Sequence, residues 1–198
     1  MAITYDAVNN VITVVGFSAS SPCTFSDIYD ADVAGGWGVV NKQGNAQFRF
    51  NCKLVIGDGS TATTFADTNK QIVASQNVRG TYAEAFIRVK DYAVFTLGTQ
   101  VGSLRAGTDG CAILDEDALY GGDLITPDSD SVNQGKIHLF ACSFSTSSDA
   151  TGLYGSRIQA LKFYDCTLSG VAYLFYTLYD HGDINNCVVQ HGLTLIRS

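Results

Sequence analysis

Apolar and polar residues alternate along much of this chain. Ile137 and Leu139 stand against His138 and Phe140, and Leu161 and Phe163 against Lys162 and Tyr164. A period of two sends successive side chains to opposite faces of a strand, so the pattern predicts short strands, not helices, over residues 45–198. The first 44 residues read differently. Residues 3–5 and 11–15 are apolar runs on either side of Asn9-Asn10, a good short-turn dipeptide, which predicts a hairpin. A helix is predicted next, over residues 24–33. Thr24 stands at its N-cap, acids occupy its first turn, and Gly35-Gly36 stops it. Phe25, Ile28, Tyr29 and Val33 would share one face of that helix and suit it to cover exposed strand edges.

The cysteines carry a second pattern. Four stand in a common frame, Asn51-Cys52-Lys53-Leu54, Ala141-Cys142-Ser143-Phe144, Asp165-Cys166-Thr167-Leu168 and Asn186-Cys187-Val188-Val189, each with a large apolar residue two places on. Tyr92-Ala93-Val94-Phe95 fits the same frame with Ala for Cys, so the position asks for a small buried residue, not a thiol. The intervals from Cys142 to Cys166 and from Cys166 to Cys187 are 24 and 21 residues. Periods in that range belong to stacked repeats, each touching only its neighbours. The alternation changes parity just before each Cys, as a bend between two short strands would require. Asn51, Asp165 and Asn186 occupy the bend, and Asn and Asp tolerate left-handed backbone there. Cys52, Cys142, Cys166 and Cys187 are then expected in one internal column, as free buried thiols acting as small hydrophobes.

On these Asn/Asp-Cys-x-apolar rungs, residues 45–198 resemble the right-handed parallel β-helix family, the pectin-lyase-like and phage-tailspike architecture. The resemblance implies an all-β fold with one β-solenoid of about seven rungs. Residues 1–44 would supply the hairpin and helix that cap it. Members of the family include polysaccharide lyases, glycoside hydrolases, phage spikes and adhesins, so the architecture does not choose the activity. Asp180-His181-Gly182-Asp183 faintly echoes the Gly-His-Gly and paired-Asp patterns of β-helix polygalacturonases. The family's Arg-x-Lys element is broken at its third position in Arg157-Ile158-Gln159.

Charge narrows the field. The formal net charge is −7, which removes the electrostatic attraction that nucleic acids and anionic membranes require of a partner. No run approaches the ~20 apolar residues of a membrane span, and Met1-Ala2-Ile3-Thr4 begins without a basic and apolar leader. The acids are unevenly placed. Asp109, Asp115, Glu116, Asp117, Asp123, Asp128 and Asp130 fall between Ala106 and Gly135 with no Lys or Arg among them. Residues 115–130 are expected as an exposed acidic loop. Asp115, Asp117, Asp123, Asp128 and Asp130 are its candidate ligands for Ca2+, a hard cation that prefers carboxylate oxygen, although no EF-hand spacing supports it.

If the rungs bend as described, positions four and two before each Cys stack on the outer face. His138 and Phe140, Lys162 and Tyr164, Asp183 and Asn185 then form a candidate glycan or partner surface, where rings stack on sugars and polar groups orient them. Tyr173, Phe175, Tyr176 and Tyr179 form a second aromatic run that would equally serve an oligomer interface. Catalysis has thinner support. Asp165 with Asp183, or Asp180 with Asp183, gives the two carboxylates a glycosidase needs, and Lys162 and Arg157 are candidate bases for a lyase, without a distinctive flanking motif. The leading expectation is therefore a non-enzymatic structural or adhesive module of a surface or virion protein. It would be extracellular or on a cell or virion surface, trimeric like a fibre or spike, and able to bind polysaccharide. The competing expectation is a polysaccharide lyase or glycoside hydrolase acting on an extended glycan.

Overall fold

The computed structural model describes residues 1–75, 85–98, 111–115, 125–127, 133 and 135–140, and the backbone of the strands named below between residues 143 and 197. The fold is broadly all-β. Strand β1 (Ala2–Asp6) pairs antiparallel with β2 (Val11–Val15), Ala2 opposite Val15, as the hairpin pattern predicted. Its turn is held by Asp6, whose carboxylate accepts the N–H groups of Val8 and Asn9 at 2.9 and 3.2 Å and the Asn9 amide at 2.6 Å. Those donors favour the charged form and hold Asp6 below the usual carboxylate range.

Helix α1 (Phe25–Gly35) starts and stops where its sequence signals stand. Thr24 Oγ1 accepts the Asp27 N–H at 3.2 Å while the Asp27 carboxylate accepts the Thr24 N–H at 2.8 Å, a reciprocal capping box. Gly36 closes the helix in the left-handed conformation, with φ of 64°. The buried stripe is Phe25, Ile28 and Asp32, with Tyr29 partly buried. Val33 does not belong to it and is 60% exposed. It follows Asp32 by about 100° of helical rotation, which carries it off the packed face. The buried Asp32 instead ties down the chain beyond the helix, its Oδ1 accepting the Val39 N–H at 2.9 Å.

The remaining strands form three ladders. The eight-stranded sheet runs β1, β2, β5 (Lys53–Ile56), β8 (Ile87–Val89), β11 (Ile125–Pro127), β14 (Thr151–Ile158), β17 (Tyr173–Tyr179) and β20 (Thr194–Arg197). The seven-stranded sheet runs β19 (Val188–Gln190), β16 (Thr167–Ser169), β13 (Ser143–Ser145), β10 (Cys111–Asp115), β7 (Lys70–Ala74), β4 (Gln47–Phe50) and β3 (Val40–Gln43). The five-stranded sheet runs β18 (Gly182–Asn185), β15 (Leu161–Tyr164), β12 (Lys136–Phe140), β9 (Ala93–Leu97) and β6 (Thr63–Asp67). Every pairing among β4 to β20 is parallel and joins a strand to the one three places on.

One hydrophobic cluster serves all three ladders. Ile12, Leu54, Ile87 and Ile125 occupy one register row of the eight-stranded sheet and are all buried. Phe65 and Phe95, register partners in the five-stranded sheet, stack with centroids 5.0 Å apart. Phe25 of α1 meets Phe65 edge-on at 4.8 Å and Phe50 at 5.8 Å, so the helix is part of the same core.

Three expectations need correction here. Cys52 does not share a sheet with the strands that follow the later cysteines. It precedes β5 of the eight-stranded sheet, whereas β13, β16 and β19 lie in the seven-stranded one, in register with the strand that Cys111 begins. Cys142, Cys166 and Cys187 themselves lie outside the described residues. The misreading has a physical source: corners that lead into different sheets use the same small buried residue, Cys52 before β5 of one sheet and Ala93 at the start of β9 in another. Nor does Asn51 use the left-handed region. Among the described residues, the non-glycine ones found there are Asn10, Asn69 and Tyr92, each directly before a strand. The Asn51 corner is held by hydrogen bonds, its N–H donating to Val39 O at 2.8 Å and its carbonyl accepting Asn10 Nδ2 at 2.7 Å. Finally, residues 115–130 are not one uninterrupted loop. Asp115 ends β10, and β11 passes through the segment, with Ile125 fully buried between Ile87 and Leu153 in the ladder. The uncharged Ile125 can enter the core without the desolvation cost that a carboxylate would meet there.

Candidate functional site

The five-stranded sheet brings the expected outer-face positions into register. Its inward positions are apolar: Phe65, Phe95 and Ile137 are buried in one row, and Leu97 and Leu139 in the next. Between and beside those rows run two others. His138 is paired with Thr96 on one side and Lys162 on the other, and Lys162 with Asp183. Phe140 is paired with Tyr164, and Tyr164 with Asn185. Parallel strands lie ~4.8 Å apart, so an imidazole-bearing, an ammonium-bearing and a carboxylate-bearing residue follow one another at that spacing.

The side chains that the structure describes qualify this surface. His138 is half-buried. Phe140, expected on the exposed surface, is only 5% exposed, so its ring is covered within the chain and is not offered to a glycan. Alternation sets which way a strand position points, whereas the packing of other segments over it decides whether solvent reaches it. Asp165 lies outside the described residues, which leaves Asp183 as the candidate carboxylate with a defined register position.

Of the expected calcium ligands, only Asp115 falls among the described residues. Asp115 is the last residue of β10, and Asp117, Asp123, Asp128 and Asp130 lie outside the described set. No group of three or more His, Cys, Asp or Glu side chains among the described residues is placed to hold a metal ion.

The three described thiols behave as small hydrophobes. Cys23, Cys52 and Cys111 are buried and free. Burial pushes the Cys52 and Cys111 thiols up to about 12, and Cys23 higher still. The uncharged thiol is favoured in an apolar setting, so these are not nucleophiles at neutral pH. The Cys111 thiol donates weakly to the Asp67 carbonyl at 3.9 Å.

Asp67 itself was not legible as a special residue. At the end of β6 its Oδ2 accepts the Phe25 N–H at 3.0 Å and its Oδ1 the Thr68 N–H at 2.8 Å, with Lys70 Nζ at 3.6 Å. The carboxylate thus sits on the first free N–H of α1 and complements the positive end of its dipole. Helix and carboxylate are 42 residues apart, and no local motif joins them. No helix among the described residues is long and apolar enough to cross a membrane. No family model, curated protein or solved structure matches the chain.

Proposed function

We propose that this chain is a non-enzymatic structural or adhesive module of a surface or virion protein, built as one right-handed parallel β-helix. The observation that supports the reading is the pairing rule, in which each strand from β4 to β17 is joined in parallel to the strand three places on. Three strands per repeat, each feeding a different ladder, is the connectivity of stacked rungs, with the other two strands serving as the crossover that a parallel pair requires. In this reading the β1–β2 hairpin and α1 cover the first rung, and the three ladders make long regular faces suited to a fibre- or spike-like assembly. Light scattering tests the assembly: the expected mass is that of a trimer, and a monomer at all concentrations would count against a fibre.

One observation favours the enzymatic alternative, a polysaccharide lyase or glycoside hydrolase. His138, Lys162 and Asp183 occupy consecutive register positions, which gathers residue types able to donate and accept protons, as glycan cleavage requires of an acid and a base. A reducing-end and unsaturated-uronide assay over acidic and neutral glycans separates the two. The adhesive reading expects no turnover, and robust turnover lost in Asp183→Ala would overturn it.

A further inference from the structure

The N-terminal hairpin leaves one strand edge unused. The Lys53 N–H donates to the Asn10 carbonyl at 3.0 Å and the Gly57 N–H to the Val14 carbonyl at 2.8 Å, so Asn10, Ile12 and Val14 turn their backbone groups toward β5. Val11, Thr13 and Val15 therefore turn theirs toward β1, where they meet Asp6, Thr4 and Ala2. The N–H and carbonyl groups of Ile3 and Tyr5 are left facing away from the sheet. β1 is the outermost strand of its ladder, and among the described residues these outward groups make no hydrogen bond.

Open edges are ordinarily guarded, and β3 shows how. It too stands last in its ladder, but its Lys42 points inward, with Nζ 5.3 Å from the centre of the Tyr29 ring and 5.6 Å from that of Phe48. An inward-pointing charge beside an edge disfavours the addition of another strand. The edge of β1 has no such device. Ala2-Ile3-Thr4-Tyr5 contains no Lys, Arg or Pro, and the pairing with β2 runs without a bulge from Ala2 to Asp6. The surface beside it is apolar. Tyr5 packs on Trp37 with ring centroids 5.5 Å apart, Ile3 and Trp37 are half-buried, and Met1 is 81% exposed.

We propose that β1 is a self-association edge, pairing antiparallel with β1 of a second copy and merging two eight-stranded sheets across a two-fold axis at Thr4. The hydrogen bonds place the axis. With Thr4 opposite Thr4 of the second copy, Ile3 faces Tyr5 of that copy and Tyr5 faces its Ile3, so the outward groups of both residues find partners; a slip of two residues leaves one of them without its partner. Charge permits the same register. Asp6, the one acidic residue of β1, falls opposite Ala2 of the second copy, and the two Asp6 positions stand about 14 Å apart along the strands, beyond the screening length of physiological salt. A second copy fits this edge because a two-fold operation makes the strand its own complement. One strand pair is a small interface, so the pairing is reversible and set by concentration. It does not rest on the adhesive reading.

Thr4→Cys tests it. Opposed residues whose backbone groups point away from each other lie ~4.5 Å apart at Cα in an antiparallel pair, within the span that a disulfide bridges. Full-length Thr4→Cys, mildly oxidised and run on a denaturing gel, is expected to give a band of two chains that reductant removes. Wild-type chain treated alike sets the baseline for the native thiols. Asn41→Cys, exposed on the guarded strand β3, is expected to stay a single chain. Thr4→Lys sets two ammonium groups against each other at the axis and is expected to weaken self-association about tenfold in sedimentation equilibrium, with an unchanged circular dichroism spectrum. The proposal is overturned if Thr4→Cys cross-links no faster than Asn41→Cys, as it also would if another strand took this edge, or if Thr4→Lys associates like the wild type. A lateral trimer brings no two Thr4 positions together. A trimeric mass without the cross-link therefore removes the end pairing and leaves the fibre reading standing, and the cross-link without a trimer does the reverse.

Discussion

Truncating Phe25 to Ala tests whether α1 belongs to the core or merely rests on it. The ring is fully buried at the first turn of the helix, with Phe65 at 4.8 Å, Phe50 at 5.8 Å and Phe48 at 6.1 Å. Removing a buried phenylalanine ring costs ~3–5 kcal/mol, because the lost transfer energy is joined by the cavity left among side chains that cannot collapse into it. Three surrounding rings, Phe48 and Phe50 on β4 and Phe65 on β6, are held by paired strands and favour the upper part of that range. For a chain of this size each kcal/mol lowers the melting midpoint by about 2–4 °C, so the drop should fall between ~6 and ~20 °C. Urea unfolding followed by circular dichroism gives the free energy directly, provided the slope is unchanged. Val33→Ala, at a site 60% exposed on the same helix, is the internal control and should stay within about 0.5 kcal/mol. A Phe25→Ala loss below about 1 kcal/mol, or one matching Val33→Ala, would refute the docking of α1 on the core.

Asp67→Ala should destabilise by about 1.5–3 kcal/mol through the charge-assisted bond to the Phe25 N–H. Lys70→Gln should cost under about 1 kcal/mol, since its 3.6 Å pair with Asp67 is peripheral; equal effects in a thermal melt would mean the ion pair, not the helix contact, matters. Alkylation at pH 8 mapped by mass spectrometry should leave Cys52 and Cys111 unmodified in the native protein and modify both in urea, and rapid native labelling would contradict their burial. The same thiols set an alkaline limit. Unfolded thiols ionise from pH 9.0 while the folded ones hold their protons to about 12, so stability is intact below that window and falls through it. The slope is up to about 1.4 kcal/mol per pH unit for each thiol. Cys52→Ala should flatten the fall in melting midpoint above pH 9.0, and an unchanged slope would show that Cys52 contributes nothing to it.

Local chemistry alone wrote several elements into the sequence. Thr24, the first-turn acids and Gly35-Gly36 sit within one helix length of one another, so the N-cap and the stop could be read from their spacing, while the reciprocal bond from Asp27 emerged in the structure. Asn9-Asn10 between two apolar runs sufficed for the β1–β2 hairpin, and period-two alternation for strands such as Lys136–Phe140. The small residue required at strand corners was also legible, because the demand for space is local. Which corner it marks was not: Cys52 and Ala93 share a frame but enter different sheets, and only the pairing of strands three places apart separates them. Burial beyond the strand's own alternation was equally hidden. Phe140 has an outward parity yet is covered, Val33 has an apolar side chain yet faces solvent, and Ile125 passes from an acidic segment into the core. Asp67 on the N-terminus of α1 depends on residues tens of positions apart. A sequence sets what each residue and its near neighbours prefer. The choice of distant partners belongs to the tertiary structure, because burying one apolar row against another is a property of the assembled ladders and of no single strand.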